Sequence, residues 1–175
     1  MKKKRIFAPV NWKNWLFGLA LLLSGCVIDD HEEPDSSDDG SIVGVGDRLP
    51  SFSVEVVDGS DHYTFSSDVL TGSTVIVFFN TDCSDCQREL PVLNDYYLQH
   101  RSDPGFQMVA IAREDTEERI QTFWYEHHLI IPYSPQRDRR VYNLFATMTI
   151  PRVYFCTKEK LITWIGIEHF TLPES

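Results

Sequence analysis

The spacing of apolar residues changes several times along the chain, and each change marks an element. Residues 51–57 alternate, with Phe52, Val54 and Val56 set against polar neighbours, and residues 62–65 resume the extended pattern after Asp58-Gly59-Ser60-Asp61. This predicts a β-hairpin turning at 58–61. Residues 75–79, Val-Ile-Val-Phe-Phe, are uninterrupted β-branched and aromatic side chains. Such a run predicts a strand buried on both faces, expected over 74–80. Directly afterwards the period becomes helical, with Cys86, Leu90, Leu93 and Tyr97 on one face. A helix is expected from residue 83 to about residue 100, with Thr81 or Asp82 as N-cap and a kink at Pro91.

The remainder reads in the same way. Pro104-Gly105 turns the chain into a second apolar strand over 106–112. Asp115-Thr-Glu-Glu118 has the form of a capping box, and Ile120, Phe123, Trp124 and His127 continue it as a helical stripe. Residues 129–132 suggest a short extended piece. Asp138 is expected to open a third helix with Val141, Leu144 and Phe145 facing inward. After a loop over 146–150, strands at 152–156 and 161–165 lie so close that they must pair antiparallel. A hairpin, then β-α-β-α, then β-β predicts an α/β fold with a mixed central sheet flanked by helices.

The first 45 residues do not share this patterning. Residues 1–5 are basic, and residues 15–23 form an apolar run too short for a membrane span of about 20 residues but suited to a secretory signal peptide. Leu23-Ser24-Gly25-Cys26 resembles a bacterial lipobox, which implies a signal peptide over 1–25 and acylation of Cys26 as a membrane anchor. Residues 27–40 carry seven carboxylates and no Lys or Arg, so residues 26–45 read as an acidic tether. The domain is then expected over 46–175. An acidic run in this position also resembles the surface-export signal of some bacterial lipoproteins.

Charge narrows the function classes. The 175 residues carry a formal −10; removing residues 1–25 takes away five of the 16 Lys and Arg and none of the 26 acids, leaving −15. A nucleic-acid partner is excluded by the lack of a basic surface. Four cysteines, Cys26, Cys83, Cys86 and Cys156, are too few and too unevenly spaced for a disulfide scaffold. Cys156, at the end of a strand, reads as a packing residue.

Cys83 and Cys86 carry the candidate chemistry. They lie one turn apart at a helix N-terminus, where unpaired N–H groups and the helix dipole favour a thiolate. Cys83 is expected to be exposed and to attack a disulfide. Cys86, on the apolar stripe, is expected to be buried and to resolve the mixed disulfide. Asp82 and Asp85 either oppose a thiolate at Cys83 by like-charge repulsion, which would make the pair a better reductant, or serve as N-cap and dipole partner.

The stretch from about residue 46 to 166 resembles the extracytoplasmic thioredoxin-fold proteins of the TlpA/ResA type. The resemblance rests on the strand followed by Cys83-Ser-Asp-Cys86, on Glu89 and Pro91, on Ile150-Pro151 before a strand, and on the leading hairpin with a lipid anchor upstream. It implies a thioredoxin-like fold with an N-terminal β-hairpin extension and a shortened C-terminus. It further implies a cis peptide at Pro151, substrate binding by the backbone of Thr149, Ile150 and Pro151, and a proton relay at Glu89. The implied activity is that of a membrane-tethered thiol–disulfide oxidoreductase acting on protein thiols and disulfides and reset by a redox partner. The chain is expected to act more as a reductase than as an oxidase, a direction not carried over from the family. Its redox group is the Cys83–Cys86 pair, with no other cofactor and no metal.

The chain departs from the family pattern at Asp82, where Trp is common, at Asp85, often Pro, and at Val77, where ordinary thioredoxins bury an Asp. Two other readings compete. A thiol peroxidase needs Thr or Ser three residues before its reactive Cys, where this chain has Asn80. A copper-handling lipoprotein on the same fold would use the two thiols with a distant His such as His169.

Overall fold

The computed structural model describes residues 39–173. The lipobox cysteine Cys26, the signal peptide and most of the tether lie outside the described residues.

The elements run β1 (Ser53–Asp58), β2 (Asp61–Ser66), β3 (Thr74–Phe79), α1 (Ser84–His100), β4 (Gln107–Ala112), α2 (Glu117–Glu126), β5 (Tyr133–Ser134), a 3-10 turn (Tyr142–Leu144), β6 (Arg152–Cys156) and β7 (Ile162–Ile167). The strands form one mixed seven-stranded sheet in the order β2-β1-β5-β4-β3-β6-β7. β3 pairs parallel with β4 and antiparallel with β6, so it lies inside the sheet. All six of its residues are buried, as an uninterrupted apolar run requires. The β1–β2 hairpin extends the sheet at one edge and the β6–β7 hairpin at the other.

Helix α1 buries Cys86, Glu89, Leu90, Leu93 and Asn94. It runs through Pro91 without interruption. α2 buries Ile120, Phe123 and Trp124, and the Trp124 indole N–H donates to the Ile131 carbonyl. The extended piece expected at 129–132 forms one step later. β5 bridges β1 and β4 through Tyr133, while Pro132 accepts from the Ala110 N–H.

Two sequence expectations need correction. The third helix is only the 3-10 turn, closed by the Phe145 N–H on the Tyr142 carbonyl. With three residues per turn the inward positions change: Tyr142 and Phe145 are buried, whereas Leu144 is exposed. The second correction concerns the tether boundary. Residues 39–43, within the expected acidic tether, are bonded to the domain. Ser41 bridges Ala146, the Thr147 N–H donates to the Gly40 carbonyl, and Ile42 and Val43 donate to Phe145. Gly40 has φ +73, and a Cβ there would stand 2.6 Å from the Thr147 hydroxyl, so glycine is required. The fully buried Arg152 explains the attachment. It donates to the Ser41 hydroxyl at 2.7 Å and to the Asp39 carbonyl, partners that its own hairpin does not supply.

Among the described residues no helix follows β7, and Phe170 folds back edge-on to Trp164. No helix among them is long and apolar enough to cross a membrane.

Candidate active site

The residues between β3 and α1 are fixed before the thiols are reached. The Asn80 side chain donates to the Arg113 carbonyl at 2.9 Å and accepts from the Asp82 N–H at 2.8 Å, tying the end of β3 to the end of β4. The backbone N–H and hydroxyl of Thr81 both donate to the buried carboxylate of Asp115. The capping-box pattern places Asp115 at the start of α2. Thr116 is the N-cap of α2, and Asp115 points instead at the loop ahead of the cysteines.

Cys83 itself caps α1. Its backbone is extended, and its sulfur accepts from the Cys86 N–H at 3.4 Å. The caps expected at Thr81 or Asp82 are not used, because Thr81 is held by Asp115 and Asp82 by Arg119. Placing the sulfur on an orphan helical N–H gives a thiolate a built-in donor. Cys83 is partly exposed and Cys86 fully buried, and both are free thiols. Burial drives the Cys86 thiol pKa well above its ordinary range, and the hydrogen bond it shares with Cys83 adds to the rise; the Asn80 backbone and the Arg113 charge act the other way.

Facing Cys83 is the loop before β6. The Ile150–Pro151 peptide is cis. The Cys83 thiol lies 3.6 Å from the Ile150 carbonyl, as donor to acceptor. Ile150 therefore stands beside the partly exposed sulfur.

The acidic residues around the thiols are not bare charges. Asp82 is ion-paired with Arg119, which holds its carboxyl below the usual range and also reaches Asp115 at 3.1 Å. Asp85 pairs with Arg88 at 2.9 Å. Repulsion of a Cys83 thiolate by these two carboxylates, one of the readings their position suggested, is therefore largely offset by two guanidiniums that spacing alone did not point to.

Glu89 is buried rather than a surface carboxylate, on the face of α1 that carries Cys86 one turn earlier. Its Oε1 meets Arg88 Nε at 3.0 Å and His169 Nδ1 at 3.6 Å. His169 also lies 2.6 Å from Arg88. The copper reading needs His169 beside the two thiols. It stands at Glu89 and Arg88 instead, and among the described residues no cluster of three or more His, Cys, Asp or Glu could hold a metal ion. Cys156 is buried in the core, and that burial pushes its thiol up to about 12.

Residues 45–165 match the AhpC/TSA family. The chain belongs to that family. Its curated relatives include the thiol-disulfide oxidoreductase ResA of Oceanobacillus iheyensis, 29% identical over 120 residues, covering 67% of this chain and 62% of that one. The ResA of Geobacillus thermodenitrificans is 24% identical over 125 residues, covering 69% of this chain and 70% of that one. The chain thus spans less than two thirds of the first relative's length. Among solved structures, the thioredoxin domain of a thiol-disulfide oxidoreductase from Bacteroides vulgatus superposes with a TM-score of 0.60 at 18% identity, covering 70% of this chain and 88% of that one. StoA from Bacillus subtilis does so with 0.55 at 19%, covering 67% and 87%. These likenesses establish the thioredoxin-like fold.

Proposed function

We propose that the chain is a thiol–disulfide oxidoreductase that exchanges disulfides through Cys83 and Cys86, more as a reductase than as an oxidase. One observation carries the reading: a partly exposed thiol caps a helix, a buried thiol lies one turn behind it, and the first sulfur meets the loop that ends in cis-Pro151. The names of the ResA relatives support the activity.

In this reading the Cys83 thiolate attacks one sulfur of a substrate disulfide. That S–S bond breaks, a substrate thiolate leaves and takes a proton, and a mixed disulfide forms. Cys86 gives its proton to Glu89 and attacks the Cys83 sulfur. The Cys83–Cys86 disulfide forms and the second substrate thiolate is released. Two electrons have passed to the substrate, and a partner dithiol restores the pair. Burial keeps Cys86 protonated until this step, so a carboxylate one turn away is the natural acceptor. The redox group is the cysteine pair itself, with no dissociable cofactor. Backbone at Thr149 and Ile150 holds an extended protein segment across Cys83. A lipid on Cys26 tethers the domain to the extracytoplasmic face of a bacterial membrane through the acidic segment.

Insulin reduction tests the activity. Cys83→Ser is expected to lower the rate to below about 1% of wild type. Activity that survives this substitution would refute the proposal. Loss of acyl labelling in Cys26→Ser tests the anchor separately.

A further inference from the structure

The loop facing Cys83 is held by side chains that come from outside it. Arg139 donates to the Thr147 carbonyl at 2.6 Å, Arg113 donates to the Met148 carbonyl, and the Tyr142 hydroxyl donates to the Thr149 carbonyl at 2.8 Å. Three consecutive carbonyls are thus occupied, and the next one, on Ile150, faces the Cys83 thiol. The three donors are coupled to each other. The guanidiniums of Arg113 and Arg139 lie over the Tyr142 ring, 5.1 and 5.4 Å from its centroid. That ring in turn packs edge-on against Phe78 of β3, the strand that delivers Cys83.

Stability alone does not account for an arginine at 113. Its Nε is buried with no hydrogen-bond partner among the described residues, which costs desolvation. A smaller apolar residue would avoid that cost but could not reach the Met148 carbonyl. The planar guanidinium does two things at once that Lys cannot combine: it stacks on an aromatic face and donates in a fixed direction.

We propose that Arg113 is a positioning residue, which with Tyr142 and Arg139 clamps residues 147–150 at the register a protein substrate needs beside Cys83. This rests on the oxidoreductase reading. A clamped loop docks an extended polypeptide without first being ordered, so the clamp acts on protein substrates. A small disulfide needs only the sulfur and gains little from it. Arg113 confers a preference for polypeptide disulfides over small ones.

The test compares insulin with a small aromatic disulfide as substrates for the full chain. In Arg113→Met the insulin KM is expected to rise about tenfold with kcat changed less than about twofold, so the insulin-to-small-disulfide ratio of kcat/KM falls by a similar factor. Arg113→Lys keeps the charge that also bears on Cys86 but loses the stack, and its insulin KM is expected to stay raised. Arg139→Met, which cuts the Thr147 contact and the second guanidinium over Tyr142 but leaves Arg113 in place, is expected to shift the ratio in the same direction by about threefold. An unchanged ratio in Arg113→Met, or a wild-type insulin KM in Arg113→Lys, overturns the clamp. A wild-type chain that reduces neither substrate overturns the oxidoreductase reading instead.

Discussion

The wall of the site that carries the thiols and the wall that faces them are held by different kinds of contact. The helix wall is held by charge pairs between side chains. Arg88 meets Asp85, Glu89 and His169, and Arg119 meets Asp82 and Asp115. The loop wall is held through its backbone. Its carbonyls accept from Arg113, Arg139, Tyr142 and Arg152, and Arg152 is itself fixed by Asp39 and Ser41 from the start of the described chain. Titratable groups are concentrated on the first wall and backbone acceptors on the second. The difference separates two tasks: proton and electron transfer belong to the helix, and substrate placement belongs to the loop.

The largest effect that could break this division is on the helix wall. Glu89→Gln keeps the shape and one acceptor but cannot take a proton. It is expected to slow the resolution step about 10²-fold, with the release of substrate from a preformed mixed disulfide as the readout and little change in insulin KM. Resolution should then climb with pH as hydroxide replaces the carboxylate, because burial keeps Cys86 protonated at neutral pH. A resolution rate equal to wild type would remove Glu89 from the chemistry.

The matching change on the loop wall is Arg152→Met. It removes donors to Thr149, Ser41 and Asp39 from a fully buried position. The expected cost is about 2 kcal/mol, read as a lower urea midpoint with the slope unchanged. If the loop wall owes its order to distant contacts, susceptibility to cleavage at residues 39–45 should rise alongside. A midpoint shift worth less than about 0.5 kcal/mol would mean the loop holds itself.

On both walls, separation along the chain decides what the amino-acid pattern reveals. Strand β3, the helix after it and both hairpins follow from short-range periodicity, and the burial of Cys86 follows from its place in the Leu90 and Leu93 stripe. What depends on partners distant in sequence is not visible in that way. Asp115 looks like a helix cap until Thr81, 34 positions earlier, is found on its carboxylate. Asp39 and Ser41 look like tether until Arg152 reaches them across more than a hundred residues. His169 looks like a distant candidate ligand until it is found beside Arg88 and Glu89, some 80 positions earlier. At 138–145 the apolar spacing fits a helix, whereas the fold forms the tighter turn with Tyr142 packed edge-on against Phe78, 64 positions earlier.

Alkali sharpens the comparison by isolating thiols from their roles. Cys156 is buried away from both walls, and its thiol is pushed from an ordinary 9.0 up to about 12. Cys86 is raised for the same leading reason. A raised folded-state value means that the stability these thiols allow is fully present below about pH 9 and is lost as pH rises toward their folded values. The reduced protein should therefore lose up to about 1.4 kcal/mol per pH unit for each thiol above that point. Cys156→Ala should flatten part of the slope in urea titrations at pH 8 to 10.5 without altering insulin reduction at neutral pH. A slope identical to wild type would mean that Cys156 is not protonated more tightly in the folded state.

The smallest effect concerns Asp85. Were it a bare charge beside the Cys83 sulfur, neutralising it would stabilise the thiolate and raise the potential of the pair. In the structure its carboxylate lies 2.9 Å from Arg88 Nη1, and Arg88 also serves Glu89 and His169. Asp85→Asn thus removes one charge from a pair whose field at the thiols is already close to cancelled. It leaves the guanidinium bound to Glu89. The expected change in potential against glutathione is below about 10 mV, small beside the roughly 30 mV that a tenfold change in equilibrium constant requires. Arg88→Gln is the informative partner, because it uncovers Asp85 and Glu89 together and should lower the potential by more than Asp85→Asn raises it. If instead Asp85→Asn alone moved the potential by 30 mV or more, the ion pair would not be shielding the thiol, and the helix wall would set the redox poise through its free carboxylates.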